Sequence, residues 1–165
     1  MTLYLSRRLH ALGFLACVVL IGVALYFQYV EYLEPCPLCI VQRLIVIAIG
    51  VVFLIAAIHN PAGWGRRIYD AGLVVLSVLG AAVAGRHVWL QNLPLDQVPE
   101  CGPGLEFLLK RFTLDQVLHK VLSGSGECAE VVWSFLGLSI PGWTLVAFSG
   151  LAILSLVLLF SSRRW

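Results

Sequence analysis

Four stretches of this chain run for about twenty residues with almost no charge, and that constrains its fold more than any other feature. A helix that crosses the bilayer core needs roughly 20 mostly apolar residues. No Asp, Glu, Lys or Arg occurs between Arg8 and Glu31, so a first span falls at about 9–29. The window between Arg43 and Arg66 gives a second at about 40–58. A third falls at about 71–90, with Arg86 near its end, where a long side chain can snorkel to the interface. The fourth falls at about 142–160. Small residues such as Gly80, Ala81, Ala84 and Gly85 in the third let helices approach closely in lipid. The expectation is an all-α membrane protein, one four-transmembrane-helix bundle over residues 1–165, with two loops, about 30–39 and 91–141, on one side.

Composition agrees. Of 165 residues, 60% are hydrophobic and 12% charged, against about a quarter charged in soluble domains. A net charge of +2 without a basic patch argues against nucleic acid as a partner. A signal-peptide reading of the N-terminus is disfavoured, because the apolar run outlasts a normal h-region and ends without a small-x-small site. The "FLAC" at Phe14–Cys17 resembles a lipoprotein cleavage site only faintly, since the apolar run continues to Phe27.

The positive-inside rule orients the bundle. Arg7 and Arg8, Arg66 and Arg67, and Arg163 and Arg164 all fall on one side. The other side holds "EYLEPCPLC" and a long loop with six acidic residues (Asp96, Glu100, Glu106, Asp115, Glu127, Glu130) against Lys110, Arg111 and Lys120. Both termini are then cytoplasmic and both loops face outward. Within the long loop, Thr113 and Gln116 form a possible capping box. Leu114, Val117, Leu118, Val121 and Leu122 follow at helical spacing. A short amphipathic helix there is expected to lie in the membrane interface, with packing on the protein itself as the alternative.

This topology sorts the cysteines. Cys36 and Cys39 sit in the short outer loop, Cys101 and Cys128 in the long one, and Cys17 alone in mid-span. Three chemistries compete: structural staples, a four-cysteine metal site, and thiol–disulfide exchange. The long loop lacks the second Cys-x-x-Cys that many zinc sites use. A disulfide across a two-residue gap constrains little chain, which suits exchange better than stapling. Cys39 falls in the first turn of the second span, where unpaired N–H groups and the helix dipole favour a thiolate. Arg43, one turn on, shares that face and can hold a thiolate or an anionic oxygen of a bound acceptor. Snorkelling of Arg43 to lipid headgroups is the competing reading.

The residues "PCPLCIVQR", the cysteines at 101 and 128, "RHVWLQ" ending the third span and "GECAEVVWSFLGLSIPGW" entering the fourth closely resemble the DsbB disulfide-bond formation proteins. The resemblance covers nearly the whole chain. It implies a bacterial inner-membrane thiol:quinone oxidoreductase, with the loops in the periplasm and disulfides Cys36–Cys39 and Cys101–Cys128. It implies that a soluble DsbA-type dithiol oxidase attacks the Cys101–Cys128 bond, with Cys101 forming the mixed disulfide. Cys128 then exchanges with Cys36. Cys39 becomes the thiolate facing a membrane quinone, ubiquinone or menaquinone, and Arg43 favours the charged state. Such an oxidase works at about −120 mV, so its reoxidation needs a strong terminal oxidant. The family's matching histidine lies near the quinone, which places His87 in that pocket; Arg86 beside it is expected at the headgroups. The resemblance implies no metal. Pro37 and Gln42 are variants within the motif, and Cys17 reads as a small buried hydrophobe. A membrane reductase of the vitamin K epoxide reductase type shares the site plan, but its cysteine order along the chain normally differs.

Overall fold

A computed structural model describes residues 3–94, 97–98, 113, 116, 124 and 126–162. Four long helices form the bundle: α1 (Leu3–Tyr29), α2 (Pro37–His59), α3 (Trp64–Gln91) and, after a short helix α4 (Gly126–Ala129) and a hairpin, α5 (Ile140–Ser162). All four long helices are long and apolar enough to cross a membrane. In space α1 packs along α2, α2 along α3, and α3 along α5, with a slighter contact between α1 and α5. Cys101 lies outside the described residues, as does most of the stretch expected as an interfacial helix (114–115 and 117–122).

Local sequence sets the helix ends. Cys36 is the N-cap of α2, in extended conformation, and its sulfur accepts from the Cys39 N–H. Pro37 occupies the first turn, where its missing N–H costs nothing. At the other end Asn60 adopts the left-handed conformation (φ 44°, ψ 52°) and its N–H closes on Ala56 O at 3.0 Å. Pro61 follows and blocks continuation.

Inside the bundle a core of Ile49, Phe53, Leu73, Ala84, Phe148 and Leu151 holds the helices together, with Cys17 buried among them. In lipid the hydrophobic effect does not favour helix association, so fit decides. A Cβ added at Gly13 would meet the Phe53 ring at 2.7 Å, and one added at Gly80 would overlap the Phe148 ring. The side chains of Leu12, Leu15, Val19, Val51, Val75 and Ile153 face outward, as lipid contact requires.

The buried positions of α3 recur as Asp70, Leu73, Ser77, Gly80, Ala84 and His87, alternating by three and four residues. That is the seam of a left-handed helix pair. The helix also begins at Trp64, well before the expected start at 71, and so takes in Arg66, Arg67 and Asp70. The physical reason is a cross-helix bond. His10 on α1 approaches Asp70 Oδ1 through Nε2 at 2.9 Å, and Ser6 O through Nδ1 at 2.8 Å. A carbonyl only accepts, so Nδ1 carries a proton. Nε2 and the carboxyl oxygen are thus joined by a hydrogen bond across the two helices. Arg66 Nε stands 3.9 Å from the other carboxyl oxygen.

Between α4 and α5, Ser134–Phe135 pairs antiparallel with Leu138–Ser139, in register Ser134 with Ser139. Leu136 and Gly137 turn the corner with positive φ (52° and 79°), the backbone of a two-residue hairpin turn. Trp143 Nε1 donates to Phe135 O at 3.1 Å and ties the hairpin to the head of α5.

Candidate active site

The cap of α2 builds the centre of the site. Cys36 and Cys39 face each other as two thiols, Sγ to Sγ 3.1 Å, with the Cys39 N–H directed at Cys36 Sγ at 3.4 Å. These are the two cysteines expected to close as a disulfide, and their sulfurs stand close enough to do so with a small movement. At this helix N-terminus the Cys39 N–H and the helix dipole both favour negative charge on Cys36 Sγ.

His87 comes from the inward seam of α3. Its Nε2 lies 3.7 Å from Cys36 Sγ, and its Nδ1 is 3.1 Å from Gln42 Nε2. Gln42 is buried, and its Oε1 accepts from the Thr144 hydroxyl on α5 at 2.7 Å. With that orientation Gln42 donates to Nδ1, so the proton of a neutral His87 sits on Nε2 and faces the sulfur. Three helices thus fix one imidazole against one cysteine.

Arg43 reaches towards α1. Its Nη1 donates to Gln28 Oε1 and its Nη2 to Ala24 O at 3.1 Å. The guanidinium is therefore held by protein, part-buried, beside the cysteine pair. Arg86, expected at the headgroups, lays its guanidinium over the Trp89 ring at 4.2 Å.

Cys39, Arg43 and His87 all border one cavity of about 560 Å³. Its walls include Ile21, Phe27, Val46, Trp133, Ala147 and Phe148, and its rim carries Glu34, Glu127 and Glu130, so mostly apolar surface meets polar groups at one side. Size and lining are those of a small-molecule site. Phe27 and Trp133 pack with ring centroids 4.9 Å apart.

Cys128, on α4, is fully buried against Leu38 and Leu90 and next to Cys36. Ligand atoms of Cys36, His87 and Cys128 all lie within 4.8 Å of one another. Of the residues singled out in the sequence, Cys36, Cys39, Arg43, His87 and Cys128 therefore converge, and Cys17 sits apart in the core. The sequence marks Gln42 only as a motif variant and does not single out Thr144. The signal for both was a polar side chain in the first turns of otherwise apolar spans.

These features define a class: a multi-pass membrane protein with a vicinal dithiol at the head of one spanning helix, opening on an apolar cavity. The family profile described as "Disulfide bond formation protein DsbB" matches residues 6–158. Among similar proteins, a "Disulfide bond formation protein B" of Nitrosococcus oceani is 59% identical over 150 residues, covering 91% of this chain and 89% of the relative. One of Methylococcus capsulatus is 50% identical over 164 residues, covering 99% and 100%. One of Hahella chejuensis is 56% identical over 145 residues, covering 88% of each. The chain belongs to the DsbB family, and its role is disulfide bond formation.

Proposed function

We propose that this protein reoxidises a periplasmic DsbA-type dithiol oxidase and passes the two electrons through its two cysteine pairs to a membrane quinone. The observation that carries this is the Cys36–Cys39 pair, placed between an apolar cavity on one side and the buried Cys128 on the other. The reading includes an inner-membrane location with cytoplasmic termini, supported by the arginines near 7–8, 66–67 and 163–164.

The cycle starts with both pairs as disulfides, Cys36–Cys39 and Cys101–Cys128. A thiolate of the reduced oxidase attacks Cys101, and Cys128 leaves as thiolate. Cys128 attacks Cys36, breaking the Cys36–Cys39 bond and releasing Cys39 as thiolate. The second thiol of the oxidase then attacks its own mixed-disulfide sulfur and releases Cys101. Cys101 attacks the Cys36–Cys128 bond, restores the loop disulfide and leaves the dithiol at 36 and 39. One dithiol has become one disulfide in the partner. Two electrons and two protons now rest on Cys36 and Cys39. The proximity of Cys36 and Cys128 sulfurs supports the inter-pair step.

A quinone, when bound, supplies a two-electron, two-proton acceptor. The cavity suits such a group, since a flat apolar ring with carbonyl oxygens needs apolar walls and N–H donors. Phe27, Val46 and Phe148 supply the walls, and Arg43 supplies the donor and the positive charge. Arg43 also stabilises thiolate at Cys39, one turn away. His87, with Nε2–H towards Cys36, stabilises negative charge on that sulfur.

The test is quinone absorbance with purified protein and a reduced DsbA-type partner. Stoichiometric quinone loss and partner oxidation are expected, with none for Cys39→Ser. Quinone loss that persists in Cys39→Ser would overturn the assignment.

A further inference from the structure

The relay leaves one property of the site unused: in the reduced form it gathers soft ligands from three elements. Cys36 comes from the α2 cap, His87 from α3 and Cys128 from α4, with all three ligand atoms mutually within 4.8 Å. We propose that the fully reduced protein binds one thiophilic divalent cation, of the Zn²⁺ class, through Cys36 Sγ, Cys128 Sγ and His87 Nε2.

Geometry supports it. Tetrahedral zinc has Zn–S of about 2.3 Å and Zn–N of about 2.0–2.1 Å, which puts S and N about 3.6 Å apart. Cys36 Sγ and His87 Nε2 are 3.7 Å apart. Cys39 Sγ, 3.1 Å from Cys36 Sγ, is the nearest donor for the fourth position and would have to open to about 3.8 Å, the S–S separation around tetrahedral zinc, to take it. The Cys39 N–H already points at Cys36 Sγ and would stabilise it as a metal-bound thiolate.

The surroundings also support it. A histidine that ligates through Nε2 must carry its proton on Nδ1 and needs an acceptor there. Gln42 lies against Nδ1, and its amide can turn to offer Oε1. The single Thr144 O–H then swings from Gln42 Oε1 to Pro141 O, at 2.9 Å, and its oxygen accepts from the turned amide. Every polar group around the imidazole stays partnered in both arrangements.

Binding involves no electron transfer. Each ligating thiol loses one proton to solvent, and the cation takes its place. Either disulfide removes a ligand, so oxidised protein has no site. The consequence for turnover rests on the proposed relay: a metal on Cys36 and Cys128 blocks exchange between the pairs. The site itself does not depend on the acceptor.

The test uses the full chain in detergent, reduced without oxygen by a phosphine, with Co²⁺ as the optical probe and Zn²⁺ as competitor. The reduced protein should take up one equivalent of Co²⁺, with thiolate charge-transfer and tetrahedral ligand-field bands that Zn²⁺ abolishes. Oxidised protein should show neither. Cys36→Ser and Cys128→Ser should each weaken binding by at least about 100-fold, and Gln42→Ala by about 10–100-fold, as for other lost partners of a metal-bound histidine. Cys17→Ala should bind as the parent does. A melting curve for each variant separates lost ligands from lost fold. Absence of tetrahedral bands in the reduced parent, or their survival in Cys128→Ser, would overturn the proposal. Quinone reduction by metal-free protein, measured in parallel, judges the relay separately.

Discussion

His10 and His87 lie near opposite ends of the same bundle, and each is 2% exposed. Asp70, the partner of His10 on α3, and His87 on the same helix are seventeen residues apart along one seam, or about 25 Å at 1.5 Å per residue. At one end His10 bridges Ser6 and Asp70, and no wall of the large cavity is formed there. At the other end His87 is bonded to a neutral amide, and its second nitrogen faces a cysteine that borders the cavity. The difference is in what each imidazole may exchange. A buried carboxylate bonded to His10 resists change, because removing either partner leaves the other buried and unpaired. A neutral amide that can turn tolerates a change of proton or ligand at small cost. The first arrangement suits holding helices together, and the second suits chemistry.

The comparison predicts variants that separate activity from stability. The largest effect on activity is expected at the thiols: Cys36→Ser and Cys39→Ser should each drop quinone reduction to background. Their melting midpoints should stay within about 4 °C of the parent, the shift that roughly 1 kcal/mol produces in a chain of this size. The largest effect on stability is expected at the other end. Asp70→Ala removes the buried carboxyl that faces both His10 and Arg66 and should cost about 3–5 kcal/mol, measured by thermal or denaturant unfolding in detergent. The fraction that remains folded should turn over like the parent. If Asp70→Ala instead kept its stability and lost turnover, the two ends would not be divided as described.

A smaller change is expected at Arg43. Arg43→Ala removes the charge beside Cys39 and should raise the KM for quinone about tenfold, equivalent to about 1.4 kcal/mol of binding. Arg43→Lys keeps the charge and loses the planar fork, so its rise should be smaller. Equal KM values in all three proteins would leave anchoring to α1 as the role of Arg43. The smallest effect belongs to Cys17, packed in the core away from both histidines. Cys17→Ala should cost about 1 kcal/mol through lost packing and leave turnover unchanged.

How far the sequence foretold this depended on the kind of signal. The four spans were legible because a bilayer demands long uncharged runs, and such runs show in one dimension. Arg66 and Asp70 looked like the end of a span for the same reason. Only a contact across helices, to His10, explains why α3 continues through them. The hairpin at 134–139 was hidden because its turn is Leu136–Gly137, and leucine is not a residue that announces a positive φ. At the site, Cys36, Cys39 and Arg43 were readable as neighbours along one helix. The approach of Cys128 and the Gln42–Thr144 support of His87 join residues distant in sequence. For His87, the alternation by three and four from Asp70 onward was available and marks an inward face.

Cys36 and Cys128, with sulfurs within 4.8 Å, are the proposed point where the two pairs meet. The most direct measurement keeps only those two reactive cysteines, in a Cys39→Ser, Cys101→Ser protein, and oxidises it mildly in detergent. A companion protein, Cys36→Ser with Cys101→Ser, keeps Cys39 and Cys128 instead. Peptide mapping without reductant then reports which bond forms and how fast. A Cys36–Cys128 disulfide that closes readily, well ahead of Cys39–Cys128, is the expected result. Faster closure of Cys39–Cys128, or no bond from Cys36, would contradict the proposed route of the electrons.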